Sequence, residues 1–451
     1  MSQGRRQSIG TLARNGAAAG VIKLASAGLT FLLFVAAAMV TDERQFGLFS
    51  TAYASASLVS FFSLIGQHAA VMRFWPQYAG GGDLSSANGL MARAILVAAA
   101  GLIAASLLML ATAFLPFATV PEWFELCLAT AALAFALGWS EFTSCAFRAK
   151  NALFSGLLPR DIFWRVATIA GFAATGFLSP GISAVAATSL AAGLLLACVL
   201  PQTVVLLRET FHAPRGALND AQKMEFKAVT LGLWGVTALP PALGQASTLL
   251  VAAILGPEAA GAIFVADRVM RLAVLALNGI NQALAPQISS AFHSHDRPHV
   301  QRIAGLAAIG GFGIALAMLA VFVLFGKLIL AVFDPAYASD TMHAALIILG
   351  LGALVGTACG PTELIMQLTG LQRELFRTLV VVNTVGLGVT AGLTVVLGPM
   401  GAALGIAGTM MVWCVTGATI TRRRIGIDPS ILGFLAGQDA NALRTLLRGR
   451  P

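Results

Sequence analysis

Charged residues are scarce in this chain. Only 10% of its 451 residues are Asp, Glu, Lys or Arg, whereas 58% are hydrophobic. A soluble globular domain carries roughly 25% charged residues, so this chain cannot cover a surface that faces water. The composition therefore excludes a soluble enzyme and a disordered protein.

Signatures of catalysis and of metal binding are also missing. The sequence contains no G-x-x-x-x-G-K-[ST], so the chain is not itself an ATPase, and it has no G-x-S-x-G or H-E-x-x-H. Its five cysteines form no C-x-x-C pair and fall inside apolar blocks. We interpret them as small buried hydrophobes. We expect no enzyme activity, no cofactor and no metal site.

The chain does contain long apolar blocks. The blocks 17–40, 94–115 and 305–325 are each close to the ~20 residues that a helix needs to cross ~30 Å of hydrocarbon. The period-2 alternation of a membrane β-barrel is missing. The sequence therefore predicts an all-α polytopic membrane protein with about twelve transmembrane helices. The predicted spans are 17–40, 47–71, 91–115, 123–147, 160–178, 181–206, 228–255, 260–284, 303–325, 343–369, 378–397 and 400–421.

The basic residues are distributed very unevenly about these spans. Of the 28 Lys and Arg residues, 23 fall on the side of the N-terminus and two, Arg44 and Lys327, on the other side. The positive-inside rule then predicts that both termini are cytoplasmic, in a bacterial cytoplasmic (inner) membrane. This orientation explains the net charge of +9. Because the basic residues form no single patch, we expect no nucleic-acid partner.

A weak internal repeat divides the chain near its middle. The turn LSPGISAVAA at 178–187 resembles LGPMGAALGI at 397–406, and Gly47 in QFGLFS corresponds to Gly261 in AAGAIF. Six spans per half make the repeats parallel, with the substrate site expected in a central cavity between them. The predicted parts are a six-helix bundle at 1–206, a cytoplasmic linker at 207–227, a second six-helix bundle at 228–424 and a cytoplasmic amphipathic tail at 425–451.

Three charged residues lie within one predicted span. Asp267 and Arg271 are four residues apart, so they can pair on one helix face. Arg268 is rotated from Asp267 by about 100°. Two interpretations of Arg268 are open. Its planar fork suits a phosphate ligand, or it forms a structural ion pair with Glu141 or Glu363.

Other polar residues inside the spans are candidate site residues. Glu141 and Glu363 occupy corresponding spans of the two halves, and with Asp267 they either couple transport to H⁺ or Na⁺ or neutralise cavity arginines. Lys23 either contacts the substrate or extends to the lipid headgroups. Gln245 follows Pro240-Pro241, which either break their helix beside a cavity or form a structural kink.

Three stretches carry a family resemblance. Residues 46–78 show an F-G turn, an apolar helix with a glycine, and Arg-Phe-x-Pro. The stretch around Arg268 looks like their pseudo-repeat and ends at Pro286. Residues 360–405 show Gly-Pro, an apolar run, a glycine before a basic turn, an asparagine and a closing G-x-x-G-A-A. In order and spacing these stretches resemble the polysaccharide-flippase (Wzx-type) branch of the multidrug/oligosaccharidyl-lipid/polysaccharide (MOP) exporter superfamily. The residues that carry the resemblance are Phe46, Gly47, Gly66, Arg73, Phe74, Pro76, Gly360, Pro361, Gly370, Asn383, Gly398 and Gly401.

The resemblance implies a V-shaped pair of six-helix bundles around a central cavity. The implied function is a flippase that moves oligosaccharide on undecaprenyl pyrophosphate to the outer leaflet for O-antigen, capsule or exopolysaccharide synthesis, by ion-coupled alternating access. Arg268, Arg271, Lys23 and Gln245 are then the expected substrate ligands. The implied partners are lipid-linked oligosaccharide, membrane lipid and, as candidate proteins, a polysaccharide polymerase and a chain-length regulator.

Three other functions fit the sequence less well. A cation-coupled multidrug extruder of the same superfamily is the main alternative, but it favours an acid-rich site, whereas the central charges here include arginines. A major-facilitator permease carries its Asp-Arg motif in a cytoplasmic loop, whereas Asp267 and Arg268 are embedded in a span. A membrane glycan polymerase needs a large outer loop, and the predicted outer loops are short.

Overall fold

The computed structural model is helical throughout the parts of the chain that it describes. These parts are residues 2–114, 122–178, 181–214, 216 and 220–436, and they contain no β-strand. The predicted all-α class is therefore confirmed. The chain divides into two compact units, and the boundary between them in the sequence falls between Ala252 and Ala253. The predicted bundle limits and linker stay predictions. Residues 215 and 217–219 of the linker and 437–451 of the tail lie outside the described residues.

The first unit contains eight complete helices and most of a ninth. A π-helical turn, Pro159–Phe163, separates the sixth helix from the seventh. The helices are α1 (Ser2–Val40), α2 (Glu43–Ser63), α3 (Gln67–Gly80), α4 (Leu84–Ala111), α5 (Trp123–Ala149), α6 (Leu153–Leu158), α7 (Trp164–Leu178), α8 (Ala184–His212) and α9 (Asp220–Leu255).

The second unit contains the remaining seven helices. Five of them form its main packing: α10, α11 and α12 pack against one another, and α15 packs against α12 and α14. The helices are α10 (Pro257–His293), α11 (Arg297–Ala331), α12 (Asp340–Ala358), α13 (Thr362–Leu368), α14 (Gln372–Leu397), α15 (Pro399–Ile425) and α16 (Ile431–Ala436).

Most of the predicted spans are helices long and apolar enough to cross a bilayer. Nine helices in the described parts of the chain meet this condition. The two parts of α9, Gln222–Leu239 and Ala242–Leu255, meet at an angle of 48° and satisfy the same condition only when they are taken together. This bend lies where Pro240 and Pro241 predict a break, although their side chains are outside the described set. The other two predicted spans, 160–178 and 260–284, lie in α7 and α10.

Short polar side chains fix where several helices begin. Asp83 accepts a hydrogen bond from the backbone N–H of Ser86 at 3.0 Å at the start of α4. Asp296 accepts one from the N–H of His299 at 3.1 Å at the start of α11. Such caps satisfy backbone donors that have no partner within the helix. The hydrogen bonds from Ser86 also lower the pKa of the Asp83 carboxyl below its ordinary value.

The predicted span 47–71 is not one continuous helix. Leu64, Ile65 and Gly66 lie between the end of α2 at Ser63 and the start of α3 at Gln67. Two of them, Ile65 (φ 48°) and Gly66 (φ 70°), have positive φ. A Cβ at Gly66 would lie only 2.6 Å from the carbonyl oxygen of Thr230 on α9. Close approach of α9 therefore requires a glycine here. The prediction of an unbroken helix is wrong because this contact is distant in sequence.

The predicted span 343–369 is broken as well, and the cause lies near the end of the described chain. Gly360, between α12 and α13, has φ 67° and packs against the backbone of Pro429. The side chain of Phe434 on α16 is buried against Gly305 of α11. The tail was predicted to be an amphipathic helix. The described part of the tail contains the six-residue α16, which packs against α11 within the second unit.

Candidate functional site

A buried carboxylate on the π-helical turn binds the lysine of α1. The Nζ of Lys23 lies 2.6 Å from the Oδ2 of Asp161, and the Asp161 side chain is 3% exposed. The hydroxyl of Ser26 donates to the other carboxylate oxygen at 3.4 Å. π-Helical turns occur frequently at functional sites. Lys23 thus pairs with a carboxylate that the sequence analysis did not single out.

Arg165 joins the same carboxylate from α7. Its Nη1 lies 3.4 Å from the Oδ1 of Asp161 and donates to the carbonyl oxygen of Arg160 at 2.7 Å. Its Nε donates to the hydroxyl of Thr30 on α1 at 2.6 Å. Asp161 and Arg165 are four residues apart with the acid first, a spacing that favours pairing. This spacing was the signal in the sequence that could have identified the pair.

Glu141 forms a second set of ion pairs on α5. One carboxylate oxygen accepts from the Nη1 of Arg160, and the other lies 3.7 Å from the Nη2 of Arg148. The thiol of Cys145 also donates to this carboxylate, at 3.4 Å. The buried His68 of α3 interacts electrostatically with Glu141. Of the two roles predicted for Glu141, neutralising nearby arginines matches this geometry.

These two sets share Arg160 and Asp161 as adjacent residues, and we call them together the amino-terminal charge cluster. The cluster contains four cationic and two anionic side chains, so its formal net charge is +2. An excess of positive charge held by apolar helices attracts anions and disfavours bare cations. Its members are Lys23, Glu141, Arg148, Arg160, Asp161 and Arg165.

Asp267, Arg268 and Arg271 of α10 lie in the second unit. The Nε of Arg271 is 2.6 Å from the Oδ2 of Asp267, which is the pairing that their spacing predicts. Asp267 is buried, whereas the side chain of Arg271 is about half exposed. The guanidinium of Arg268 lies 4.5 Å from the ring centroid of Phe264, in cation–π geometry.

Glu363 differs from Glu141 in its surroundings. It lies exposed on α13 and accepts a hydrogen bond from the Nε2 of Gln367 at 3.1 Å. Within the described part of the second unit it forms no ion pair, so the predicted pair between Arg268 and Glu363 is absent there. Gln245 is half-buried in the second part of α9. The roles assigned to these residues stay predictions. No three His, Cys, Asp or Glu side chains among the described residues are grouped as metal ligands.

Known structures resemble this fold, although no protein-family model and no curated protein matches the sequence. An inward-facing multidrug resistance MATE family transporter of the MOP superfamily superposes with a TM-score of 0.70, at 15% identity, covering 92% of this chain and 98% of its own. A MOP superfamily transporter from Pyrococcus furiosus superposes with a TM-score of 0.62 at 16% identity, covering 92% of this chain and 96% of its own. A Vibrio cholerae MATE transporter superposes with a TM-score of 0.60 at 17% identity, covering 93% of this chain and 98% of its own.

At these identities the likeness shows a shared fold. It confirms the predicted polytopic all-α membrane architecture. The likeness does not test the polysaccharide branch that the sequence resembles, because these neighbours are described as MATE or MOP superfamily transporters.

Proposed function

We propose that this protein is a membrane transporter whose substrate presents an anionic headgroup, and that the substrate is an oligosaccharide carried on a prenyl pyrophosphate. The observation that carries the proposal is the net charge of +2 on the amino-terminal charge cluster. The fold that it shares with known transporters supports the coarser part of the proposal, transport across the membrane.

Electrostatics connects this cluster to a pyrophosphate. Taking an unpaired anion out of water into an apolar environment costs many kcal/mol, so a protein that moves one across a bilayer needs fixed cations near its path. Arginine binds phosphate oxygens with two parallel hydrogen bonds. The cations of the cluster with the largest exposed fractions are Lys23 (42%) and Arg148 (27%). These two are the side chains that a headgroup would reach first.

One structural neighbour gives independent support for this use of charge. The Pyrococcus furiosus transporter is described as having a binding pocket of reverse polarity that suggests a different function. Within this fold, pocket polarity and function can therefore change together. Arg268 on α10, in the second unit, stays a separate predicted ligand for an anionic substrate.

Ligand-induced stabilisation tests the proposal directly. The purified protein in detergent is titrated with a prenyl pyrophosphate, the matching prenol, or a cationic dye, and Tm is measured. A ligand that binds only the folded state raises Tm, so we expect a rise with the pyrophosphate alone. Lys23→Gln should weaken the response. The matched control Lys327→Gln removes a lysine that pairs with Asp340 outside the cluster and should not. Stabilisation by the dye alone would contradict the proposal.

Cation-coupled multidrug export is the second candidate, and the structural neighbours favour it more directly because several are described as multidrug or MATE transporters. The exposed Glu363 carboxylate, which lacks an ion pair in the described part of its unit, suits a coupling cation. In proteoliposomes with a pH gradient, this candidate predicts efflux of a cationic dye that Glu363→Gln abolishes. The control Glu374→Gln alters a carboxylate near Arg424 and should leave efflux intact.

A further inference from the structure

The first unit contains an apolar pocket between α2, α4 and α5 whose occupant the proposed function does not explain. Its volume is about 420 Å³, within the range of pockets that hold drug-sized ligands. The wall of the pocket is contributed mainly by Leu48, Leu58, Val59, Leu108, Met109 and Leu126, with Leu249 of α9.

The pocket extends along α2 over about the length of one leaflet. Its wall on α2 runs from Leu48 to Val59, which corresponds to roughly 16 Å at 1.5 Å per residue. One leaflet is about half of the ~30 Å hydrocarbon core. Leu108, which lines the pocket, is 71% exposed and lies on one of the helices that are long and apolar enough to cross a membrane. Such a helix exposes its apolar side chains to hydrocarbon, so a lipid chain can reach the pocket beside Leu108.

Three of the four hydroxyl groups in the wall donate to carbonyl oxygens nearby in the chain, and the fourth is that of Ser55. The hydroxyl of Thr51 donates to the carbonyl oxygen of Gly47 at 2.8 Å, and that of Thr130 donates to Leu126 at 2.6 Å. Thr112 likewise donates to Met109 at 2.6 Å. The wall contains no charged side chain. Such a surface offers nothing to a charged group and suits a hydrocarbon chain.

Trp123 carries a buried polar atom in the wall. It lines the pocket at the first residue of α5, and its indole Nε1 is buried with no hydrogen-bond partner among the described residues. Tryptophans concentrate at the membrane interface, where one end of the ring is apolar and the N–H meets polar groups. The ester carbonyls of phospholipids belong to the same interface. A neutral N–H matches a neutral ester oxygen, whereas a phosphate at this end would find no counter-charge in the wall.

We propose that this pocket binds one acyl chain of a bilayer phospholipid, with the indole N–H of Trp123 donating to its ester carbonyl. The site is independent of the transported substrate. It would couple the packing of α2, α4 and α5 to the lipid composition of one leaflet.

Photo-crosslinking tests the site in the full-length protein. The protein is reconstituted in phosphatidylcholine vesicles that contain a phosphatidylcholine with a diazirine in one acyl chain, and adducts are mapped by mass spectrometry. We expect adducts on the pocket residues of α2, α4 and α5. Ala105→Phe fills the pocket from α4 and should abolish them. Ala104→Phe places the same ring at the exposed neighbouring position and should preserve them.

The hydrogen bond is tested by exchanging the lipid linkage. A diether phosphatidylcholine lacks the carbonyl, so its labelling should fall about fivefold, as expected for one neutral hydrogen bond. Trp123→Phe should remove this difference between ester and ether lipids. Ser55→Leu, which fills the pocket from α2, should reproduce the loss seen with Ala105→Phe if that variant folds poorly. Unchanged adducts in both filled variants would overturn the proposal, as would displacement of the label by a prenyl pyrophosphate but not by unlabelled phosphatidylcholine.

Discussion

The indole N–H of Trp234 on α9 donates a hydrogen bond to the backbone carbonyl of Phe62 at 2.9 Å. Phe62 lies in the last turn of α2, and its carbonyl also accepts a hydrogen bond from the N–H of Ile65 at 3.2 Å, in the turn where the chain breaks. The bond from Trp234 therefore uses the second lone pair of a carbonyl at the end of α2. It joins the first part of α9 to the break in the second span.

Gly66→Ala should destabilise the protein. An L residue at φ 70° costs about 1–2 kcal/mol, and the new Cβ would lie 2.6 Å from the carbonyl of Thr230, which adds about 1–3 kcal/mol of overpacking. The measurement is Tm in detergent. Gly82→Ala is the control because Gly82 has φ 84° but no atom within 4 Å of the new Cβ. Equal shifts for both variants would show that close approach by α9 contributes nothing.

Asp161→Ala should also destabilise the protein strongly. It leaves Arg165, whose side chain is 11% exposed, without its carboxylate, and removing one partner of a buried pair costs about 3–5 kcal/mol. Asp220→Ala removes the exposed partner of Lys223 and should change Tm little. The double variant Arg165→Met, Asp161→Leu removes both partners of the buried pair and is expected to recover part of the loss. A Tm for Asp161→Ala that matches the Asp220 control would contradict this assignment.

Arg268 should be required for transport of an anionic substrate. Arg268→Ala is expected to remove most of the transport activity at normal protein levels. Arg268→Lys keeps the positive charge but lacks the planar guanidinium, so it should retain part of the transport activity. The measurement is accumulation of lipid-linked oligosaccharide on the inner leaflet with loss of surface polysaccharide. Normal transport by Arg268→Ala, together with unfolding of Asp267→Ala, would identify Arg268 as a structural residue.

Cysteine accessibility should establish the orientation. Met400, in the first turn of α15, is predicted to face outward, and Ser294, between α10 and α11, is predicted to face the cytoplasm. In a background without the five native cysteines, a membrane-impermeant thiol reagent added to intact cells should label Met400→Cys. Ser294→Cys should react only after permeabilisation. The reverse pattern would show that the positive-inside assignment is wrong.

Hydropathy alone predicts most of the helices, because a membrane span must form its backbone hydrogen bonds within itself and consists of about 20 consecutive apolar residues. Hydropathy does not predict where two of these spans are broken. The break at Gly66 depends on Thr230, and the break at Gly360 depends on Pro429. Each contact joins residues far apart in the chain, so the only local sign of either break is a glycine, which by itself does not predict one.

The candidate site was predicted in part for the same reason. Asp267 and Arg271 lie one helical turn apart, and their pairing follows from spacing. Lys23 and Asp161 are 138 residues apart, and no local pattern connects them. Arg160 and Arg165 were assigned to orientation because they lie near the end of a predicted span. The π-helical turn that places Asp161 beside them is not visible in hydropathy.

The docking of the chain end on the second unit has a consequence for the order of assembly during synthesis. Ile427 belongs to the apolar cluster of Ile288, Val300 and Ile365, and Asp428 exchanges two hydrogen bonds with Gln301. The contacts of α11 with Ile427 and Asp428 therefore form only after the ribosome has added more than a hundred further residues. The first unit ends at Ala252, so all of it is synthesised well before Ile427, and domains generally fold as units during synthesis. A ribosome that stalls before Ile427 should therefore leave the apolar cluster of the second unit incomplete.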